Sequence, residues 1–164
     1  MTLPAARSGV GYDSHRFAPG GPTLLGGVRI PSEVHLVGHS DGDAVCHAII
    51  DALLGAAGLG DIGSLFPSTA PENAGRDSVE MLRLTAERIR SAGWSVSNVD
   101  VTVIAEEPRI AQHRGAIVER LAAALSVRAD KVNVKGKTNE GMGWIGKGEG
   151  LACIAVAALA QSER

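Results

Sequence analysis

One stretch decides the fold, and it reads His39-Ser40-Asp41-Gly42-Asp43-Ala44-Val45-Cys46-His47-Ala48-Ile49-Ile50-Asp51. Its apolar residues recur at helical spacing and predict a helix over residues 41–57 that is anchored in a core. Asp43, His47 and Asp51 are four residues apart, so a helix places them on one face. Acids and a histidine on one rigid face suit metal binding or proton transfer. The alternative is that the acids only cap the helix and that the histidine is structural.

The composition is that of one ordinary globular domain. The chain has 164 residues, of which 45% are hydrophobic and 21% are charged, and its formal net charge is -2. Positive and negative residues are mixed, which argues against nucleic acid as a partner. Cys46 and Cys153 lie in apolar segments, so we expect buried small side chains rather than a disulfide. We expect a cytoplasmic protein with no membrane partner, because neither a signal-peptide pattern nor an apolar run of membrane length is present.

The rest of the pattern alternates strands with helices. Alternating or continuous apolar residues predict strands over residues 8–17, 23–30, 96–105 and 131–135. Helical periodicity predicts further helices over residues 77–92 and from Pro108 onward, where proline suits the first turn. We therefore expect one α+β domain over residues 1–164, an α/β sandwich in which helices cover one face of a single mixed sheet.

Four segments give a weaker signal. Residues 1–7 are expected to form a loose leader, 32–38 a polar connection, and 61–75 a loop long enough to suggest function. The apolar segment 151–160 fits a helix through its alanines, and it fits a strand buried on both faces through its lack of a polar stripe. The pattern alone leaves both structures open for this segment.

A second polar cluster near the N-terminus bears on the role of the helix histidine. Asp13 and His15 flank Ser14 in the first predicted strand, so their side chains point to the same side. With His47 they form a set of two histidines and one carboxylate, which suits a tetrahedral zinc with an open fourth position. Manganese or iron would also fit these ligand types. The alternative is a surface Asp-x-His pair and a buried histidine that never meet.

A third polar cluster has the composition of a phosphate-binding loop. Lys135, Lys137 and Thr138 precede a glycine-rich turn, whose free N–H groups can hold phosphate oxygens. Glu140 could bind a divalent cation shared with those phosphates. The run Gly141-Met142-Gly143-Trp144-Ile145-Gly146 matches G-x-G-x-x-G, but too little sequence follows it for a dinucleotide-binding unit.

Short motifs follow one another along the chain: Gly11-Tyr12-Asp13-Ser14-His15, Gly38-His39-Ser40-Asp41-Gly42-Asp43, His47, Asp51-Ala52-Leu53-Leu54-Gly55, Gly60-Asp61-Ile62-Gly63 and Gly148-Glu149-Gly150. In this order, over residues 9–160, they closely resemble the family of 2-C-methyl-D-erythritol 2,4-cyclodiphosphate synthases of the non-mevalonate isoprenoid pathway. The resemblance implies a phosphorus–oxygen lyase that cyclises 4-diphosphocytidyl-2-C-methyl-D-erythritol 2-phosphate and releases CMP. Such intramolecular phosphoryl transfer depends on positioning and charge neutralisation.

The resemblance also implies roles for individual residues. Zinc, or a similar divalent metal, would be bound by Asp13, His15 and His47, and magnesium or manganese on the substrate diphosphate by Glu140. The implied catalytic residues are His39, Thr138 and Asp51, the last as a residue that orients its neighbours. Substrate contacts are implied for Asp13, His15, His39, Ser40, Asp61, Ile62, Gly63, Phe66, Ala105, Pro108, Arg109, Ile110, Ala111, Lys137, Thr138, Asn139, Glu140, Trp144 and Lys147.

The resemblance further implies a homotrimer with active sites between neighbouring subunits. The metal and methylerythritol residues would come from one chain and the cytidine residues from the next. The segment 151–160 would then be a strand that faces the threefold axis, and Trp144, Lys147 and Glu149 would line the axial cavity.

Several residues depart from the family pattern. The family's mobile loop commonly carries acids where this chain has Ser68 and Ala70. Many members have threonine at the position of Lys137 and arginine at that of Lys147, and lysine is not an equivalent phosphate clamp. Two other functions stay open: a zinc-dependent phosphoesterase with water as nucleophile, and a non-catalytic trimer that binds isoprenoid diphosphates on its axis.

Overall fold

The computed structural model describes residues 5–162. Its strands are β1 (Ala6–Pro19), β2 (Thr23–Leu25), β3 (Val28–Ile30), β4 (Val34–Leu36), β5 (Trp94–Ile104), β6 (Val132–Lys137) and β7 (Gly150–Gln161). Its α-helices are α1 (Ala44–Ala57), α2 (Ile62–Leu65), α3 (Ser78–Ser91), α4 (Arg114–Leu125) and α5 (Gly143–Gly146). Within the described residues, no helix is long and apolar enough to cross a membrane.

Five strands form one mixed sheet in the order β4-β1-β7-β5-β6. The central strand β7 runs antiparallel to both neighbours, whereas β5 and β6 run parallel to each other. The parallel pair is joined by a crossover that contains α4, as parallel pairing requires. The predicted α+β class with a mixed sheet is confirmed.

The apolar segment 151–160 is a strand, as the family resemblance implied. It lies within β7, where it pairs with β1 on one side and with β5 on the other. Cys153, Ala155 and Ala157 are fully buried on the face that meets the helices, whereas Ile154 and Val156 are exposed on the opposite face. Pairing along both edges therefore outweighs the helical propensity of its alanines.

Helix α1 packs directly on β1, and two glycines make this close approach possible. A Cβ atom on Gly11 would overlap the carbonyl oxygen of Ala48 and lie 2.8 Å from the backbone nitrogen of Ala52. Gly9 meets the backbone of α1 one turn further along in the same way. The alternation of β1 places Asp13 and His15 on this same face, which brings them towards the helix.

Several predicted boundaries near the N-terminus were wrong. Ala6 and Arg7 are not a loose leader, because they pair with Ala160 and Leu159 of β7; residues 1–4 lie outside the described part of the chain. The predicted strand 23–30 is a hairpin of β2 and β3 that turns at two glycines with positive φ. The polar connection 32–38 contains β4, which extends the sheet beside β1.

The helices also begin later than predicted. Helix α1 starts at Ala44 rather than at residue 41, because the side chain of Asp43 caps it by accepting the N–H of Cys46.

The loop 61–75 contains α2 and a short 3-10 turn over Pro71–Asn73. Helix α4 begins at Arg114 and not at Pro108. The side chain of Ile110 is buried against Gly136 of β6, which holds the segment after β5 at the sheet instead of in a helix.

Candidate active site

Asp13, His15 and His47 meet where β1 passes under α1. Asp13 Oδ2 lies 2.8 Å from His15 Nε2 and 3.0 Å from His47 Nδ1, and the two histidine nitrogens are 3.2 Å apart. The predicted convergence of these three residues is therefore confirmed. His47 is buried, whereas Asp13 and His15 are half-buried at the edge of a cavity.

Each histidine has a partner for the ring nitrogen that points away from Asp13. His15 Nδ1 lies 2.7 Å from the carbonyl oxygen of Val37, which can only accept, so this nitrogen carries the proton. A carboxylate also only accepts, so without a metal ion His15 Nε2 donates to Asp13 Oδ2 at 2.8 Å, and it must release that proton to bind a metal. His47 Nε2 lies 2.8 Å from Ser78 Oγ and 3.0 Å from Ser40 Oγ, which leaves Nδ1 facing the carboxylate.

The converging atoms fit a divalent metal ion. Two imidazole nitrogens and a carboxylate oxygen that all present lone pairs repel one another unless a cation or a proton lies among them. Around a tetrahedral zinc, with ligand bonds of about 2.0–2.1 Å, neighbouring ligand atoms are about 3.3 Å apart. The observed separations of 2.8–3.2 Å are close to this value.

The charges of the site agree with this arrangement. Burial alone would raise the pKa of Asp13, but hydrogen bonds from His15 and His47 outweigh it and hold the pKa below its usual value. Burial alone would lower the pKa of His15, but the hydrogen bond and charge of Asp13 raise it above its usual value. Without a metal ion the site thus holds a carboxylate next to a protonated imidazole, and a divalent ion would take the place of that proton.

The ligand set opens into a cavity of about 340 Å³. Its lining combines the metal-site residues with the loop after α1: Asp13, His15, His39, Ser40, His47, Ile62, Gly63, Phe66, Pro67, Ser68, Thr69, Asn73 and Met81. The guanidinium of Arg76 lies over the ring of Phe66, and its central carbon, Cζ, is 5.2 Å from the ring centroid. The side-chain amide of Asn73 donates to the carbonyl of Pro67, which fixes the far wall.

The three residues expected on one helix face separate into different roles. His47 points to the metal site. Asp51 Oδ1 accepts the N–H of Ile62 at 2.8 Å, and burial raises the pKa of Asp51. Asp43 is fully buried and accepts the N–H groups of Gly26 and Gly27, so it holds the β2–β3 turn and takes no part in the site. Asp43 therefore does not share the role predicted for this face of α1. It caps the helix, which begins at the next residue.

Asp61 caps the short helix that forms part of the cavity wall. Its Oδ1 accepts the backbone N–H of Ser64 at 2.8 Å and the hydroxyl of Ser64 at 2.7 Å. The hydrogen bonds from Ser64 lower the pKa of this exposed carboxyl. Asp51 accepts the N–H of Ile62 and Asp61 accepts that of Ser64, so two carboxylates hold this segment beside the metal site.

A second cavity of about 170 Å³ lies between the end of β5 and the end of β6. It brings together residues for which the resemblance implied substrate contacts, namely Ala105, Pro108, Arg109, Ile110, Ala111, Lys137 and Thr138. Val103, Arg114 and Gly136 complete the lining. Among residues 5–162, the linings of the two cavities have no residue in common. Arg114 was not predicted, since a basic residue in a first helical turn has no distinctive sequence signal.

The loop after β6 is held by a carboxylate that sequence reasoning missed. Glu106 Oε1 accepts the N–H of Asn139 at 2.9 Å and that of Gly141 at 3.2 Å. Glu140, between them, has a φ of 53°, and its side chain accepts the hydroxyl of Thr138 at 3.0 Å. Glu106 thus fixes the backbone on both sides of Glu140, in a left-handed conformation that non-glycine residues seldom adopt.

The remaining predicted site residues lie on the glycine-rich turn. Trp144 belongs to α5 and Lys147 follows it, and neither lines one of the two cavities. The last four residues of the G-x-G-x-x-G run form α5, and β7 begins at Gly150.

The model of the YgbB family matches residues 6–160. The chain belongs to the YgbB family. A 2-C-methyl-D-erythritol 2,4-cyclodiphosphate synthase of Gemmatimonas aurantiaca is 60% identical to this chain over 153 residues, which are 93% of this chain and 92% of the relative. The synthase of an Azoarcus species is 50% identical over 96% of this chain and 97% of its own length. The resemblance inferred from the motifs is confirmed.

Solved structures of YgbB-like fold agree with the sequence comparison. The Plasmodium falciparum protein IspF, in complex with CDP, has a TM-score of 0.85 and 34% identity, and the match covers 99% of this chain and all of that one. The bifunctional protein IspDF of Campylobacter jejuni has a TM-score of 0.94 and 36% identity over 98% of this chain. This chain spans 44% of that bifunctional protein.

Proposed function

We propose that the protein cyclises 4-diphosphocytidyl-2-C-methyl-D-erythritol 2-phosphate to 2-C-methyl-D-erythritol 2,4-cyclodiphosphate in the non-mevalonate isoprenoid pathway. The observation that carries the proposal is the convergence of Asp13, His15 and His47 in a cavity, in a chain 60% identical to such a synthase. An oxygen of the 2-phosphate forms a bond to the β-phosphorus. The bond from that phosphorus to the bridging oxygen breaks, and CMP leaves with the electron pair.

The proposed metal at this site is zinc, bound by Asp13 Oδ2, His15 Nε2 and His47 Nδ1. Two neutral imidazoles and one carboxylate leave a net positive charge with a divalent ion, which suits a diphosphate ligand. A metal held there supplies a Lewis acid that polarises the β-phosphate. We assign a second ion, magnesium or manganese on the diphosphate, to Glu140, whose carboxylate is exposed and whose backbone is fixed by Glu106.

The other residues of the two cavities would position the substrate. His39 and Ser40 stand beside the metal ligands and can donate hydrogen bonds to phosphate oxygens. The exposed carboxyl of Asp61, held by Ser64, can accept hydroxyl groups of the methylerythritol. We place the cytosine ring in the pocket of about 170 Å³ around Ala105 and Ile110, with Lys137 and Thr138 towards the phosphates.

We further propose a homotrimer in which one chain supplies the metal cavity and its neighbour supplies the cytidine cavity. Support comes from the open face of the sheet, where large apolar side chains are exposed: Val10 by 68%, Tyr12 by 56%, Ile154 by 39% and Val156 by 46%. Cross-strand pairing joins these four into one patch on β1 and β7. A contiguous apolar patch of this kind on a sheet face is typical of a subunit interface.

The decisive experiment is turnover of the cytidine-diphosphate substrate followed by phosphorus NMR, with and without a chelator. We expect cyclic diphosphate and CMP, lost on chelation and restored by zinc together with magnesium. Open-chain phosphate products would instead indicate a phosphoesterase that uses water. A folded, zinc-loaded protein without turnover would contradict an enzymatic role and favour a binding protein.

A further inference from the structure

The metal site has a second layer of polar residues behind His47. Ser78 is fully buried at the first position of α3, and its Oγ lies 2.8 Å from His47 Nε2. The Ser78 hydroxyl donates in turn to Asp41 Oδ1, and the backbone N–H of Ser78 donates to Asp41 Oδ2 at 2.9 Å. Asp41 Oδ1 also accepts the N–H of Asp43 at 3.1 Å. Asp41 is thus held on two sides and cannot turn away from Ser78.

The direction of the protons in this chain of atoms is fixed. A carboxylate only accepts hydrogen bonds, so the hydroxyl proton of Ser78 goes to Asp41. Ser78 Oγ then has only lone pairs left for His47, and Nε2 must carry the proton of the imidazole. Nδ1, which faces Asp13 Oδ2 at 3.0 Å, is then the nitrogen that can give up its proton to bind a metal ion, while Nε2 keeps its proton on Ser78 Oγ.

Ser40 also lies near His47 Nε2, at 3.0 Å, but it does not decide the proton position. Its hydroxyl lines the open cavity and is free to rotate, so it can donate or accept. Asp41 accepts the hydroxyl proton of Ser78, but among the hydrogen bonds described for residues 5–162 no carboxylate accepts that of Ser40.

We propose that Ser78 and Asp41 are positioning residues that fix the His47 tautomer and orient its ring for metal binding. The inference deepens the proposed function, because it concerns the same metal site. It assigns a task to the beginning of α3, which sequence reasoning treated as an ordinary helix start. Outer partners of a metal-bound histidine fix its tautomer and raise its basicity, and their loss typically costs about 10–100-fold in metal affinity.

The test uses the full chain without substrate, so that its failure is distinct from failure of the proposed reaction. Imidazole nitrogens labelled with ¹⁵N show for each ring nitrogen of His47 whether it carries a proton in the metal-free protein, and competition with a chromogenic chelator gives the zinc affinity. In the wild type we expect His47 with a protonated Nε2. Ser78→Ala should weaken zinc binding by about 10–100-fold and lose the tautomer preference.

Asp41→Asn is the more specific variant, because it can reverse the direction of the hydrogen bonds that link residue 41, Ser78 and His47. Its amide oxygen can accept the N–H of Ser78 while its NH2 group donates to Ser78 Oγ, and the hydroxyl then donates to His47 Nε2. We expect a rise in the tautomer that is protonated on Nδ1 and cannot bind zinc. Ser78→Thr, which keeps the hydroxyl, should retain the wild-type tautomer.

Ser40→Ala is the matched control, since it removes the other hydroxyl near His47 Nε2. It should leave tautomer and zinc affinity at wild-type values. The proposal is overturned if Ser78→Ala and Asp41→Asn, folded as judged by circular dichroism, keep the wild-type tautomer and zinc affinity. It is equally overturned if Ser40→Ala causes the larger loss, because the proton would then be held from the cavity side.

Discussion

His15 Nε2 lies 3.2 Å from His47 Nδ1, although 32 residues separate the two histidines in the chain. One comes from a strand and the other from a helix, and the glycines of β1 let the two elements approach closely enough for the nitrogens to meet. With Asp13 Oδ2 within 3.0 Å of both nitrogens, the three residues form a set of atoms that a divalent cation can bind once their protons are released. A metal ion bound by these residues would therefore depend on both secondary-structure elements.

We predict that His47→Ala abolishes metal binding and nearly all turnover while the chain still folds. Helix α1 keeps its buried apolar residues on either side of position 47, so its packing on the sheet is preserved. Elemental analysis should show zinc falling from full occupancy to near none, with an unchanged far-ultraviolet circular dichroism spectrum. Full zinc occupancy in the folded variant would refute the ligand assignment.

A second prediction concerns the buried cap of α1. Asp43 uses both carboxylate oxygens: Oδ1 accepts the N–H of Gly26 at 2.9 Å, and Oδ2 accepts that of Gly27 at 2.7 Å. Asp43→Asn would turn an NH2 group towards one of these donors and leave it without an acceptor. An unsatisfied buried polar group costs about 1–3 kcal/mol. Urea denaturation at fixed protein and metal concentration should show a loss of this size.

Asp77 provides the matched control for that measurement. It caps α3 with Oδ1 alone, which accepts the N–H groups of Val79 at 2.8 Å and Glu80 at 3.3 Å. Asn caps helices about as well as Asp, so Asp77→Asn should be nearly neutral. Equal losses in the two variants would show that the cost comes from removing a helix-capping charge rather than from the β2–β3 turn.

A third prediction tests the close contact between β1 and α1. In Gly11→Ala the new methyl group would meet the backbone of Ala48 and Ala52, which cannot rotate away. Overpacking of a core typically costs about 1–3 kcal/mol, and a clash with backbone should reach at least that value. The zinc affinity should fall as well, because Asp13 lies two residues along the displaced strand.

Gly55→Ala is the control for this prediction. Gly55 lies within α1, and a Cβ atom there has no neighbour within 4 Å. Since alanine favours a helix interior over glycine, the variant should gain about 0.5–1 kcal/mol. If Gly11→Ala were as stable as the wild type by urea denaturation, the glycine would not set the distance between strand and helix.

The sequence could predict that Asp13, His15 and His47 meet, because each lies in a regular periodic element. Alternation along β1 places Asp13 and His15 together, and the apolar pattern of α1 fixes the orientation of His47. Ser78 and Glu106 were missed because each acts on a segment far away in the sequence, and a polar residue at an element's end is too common to signal a site. The start of α4 was misplaced because the burial of Ile110 against Gly136 is a tertiary contact that proline statistics do not contain.

The last prediction concerns the open face of the sheet. Val10 and Val156 are direct cross-strand neighbours, as are Tyr12 and Ile154, and all four are exposed in the single chain. If this patch is the trimer interface, Val156→Asp places a charge in an apolar contact and should shift the protein from trimer to monomer in sedimentation velocity. Ala123→Asp adds the same charge on an exposed position of α4 and should leave the trimer intact. A Val156→Asp variant that sediments as the wild-type trimer would exclude this face as the interface, whereas loss of turnover together with trimer dissociation would support an active site shared between chains.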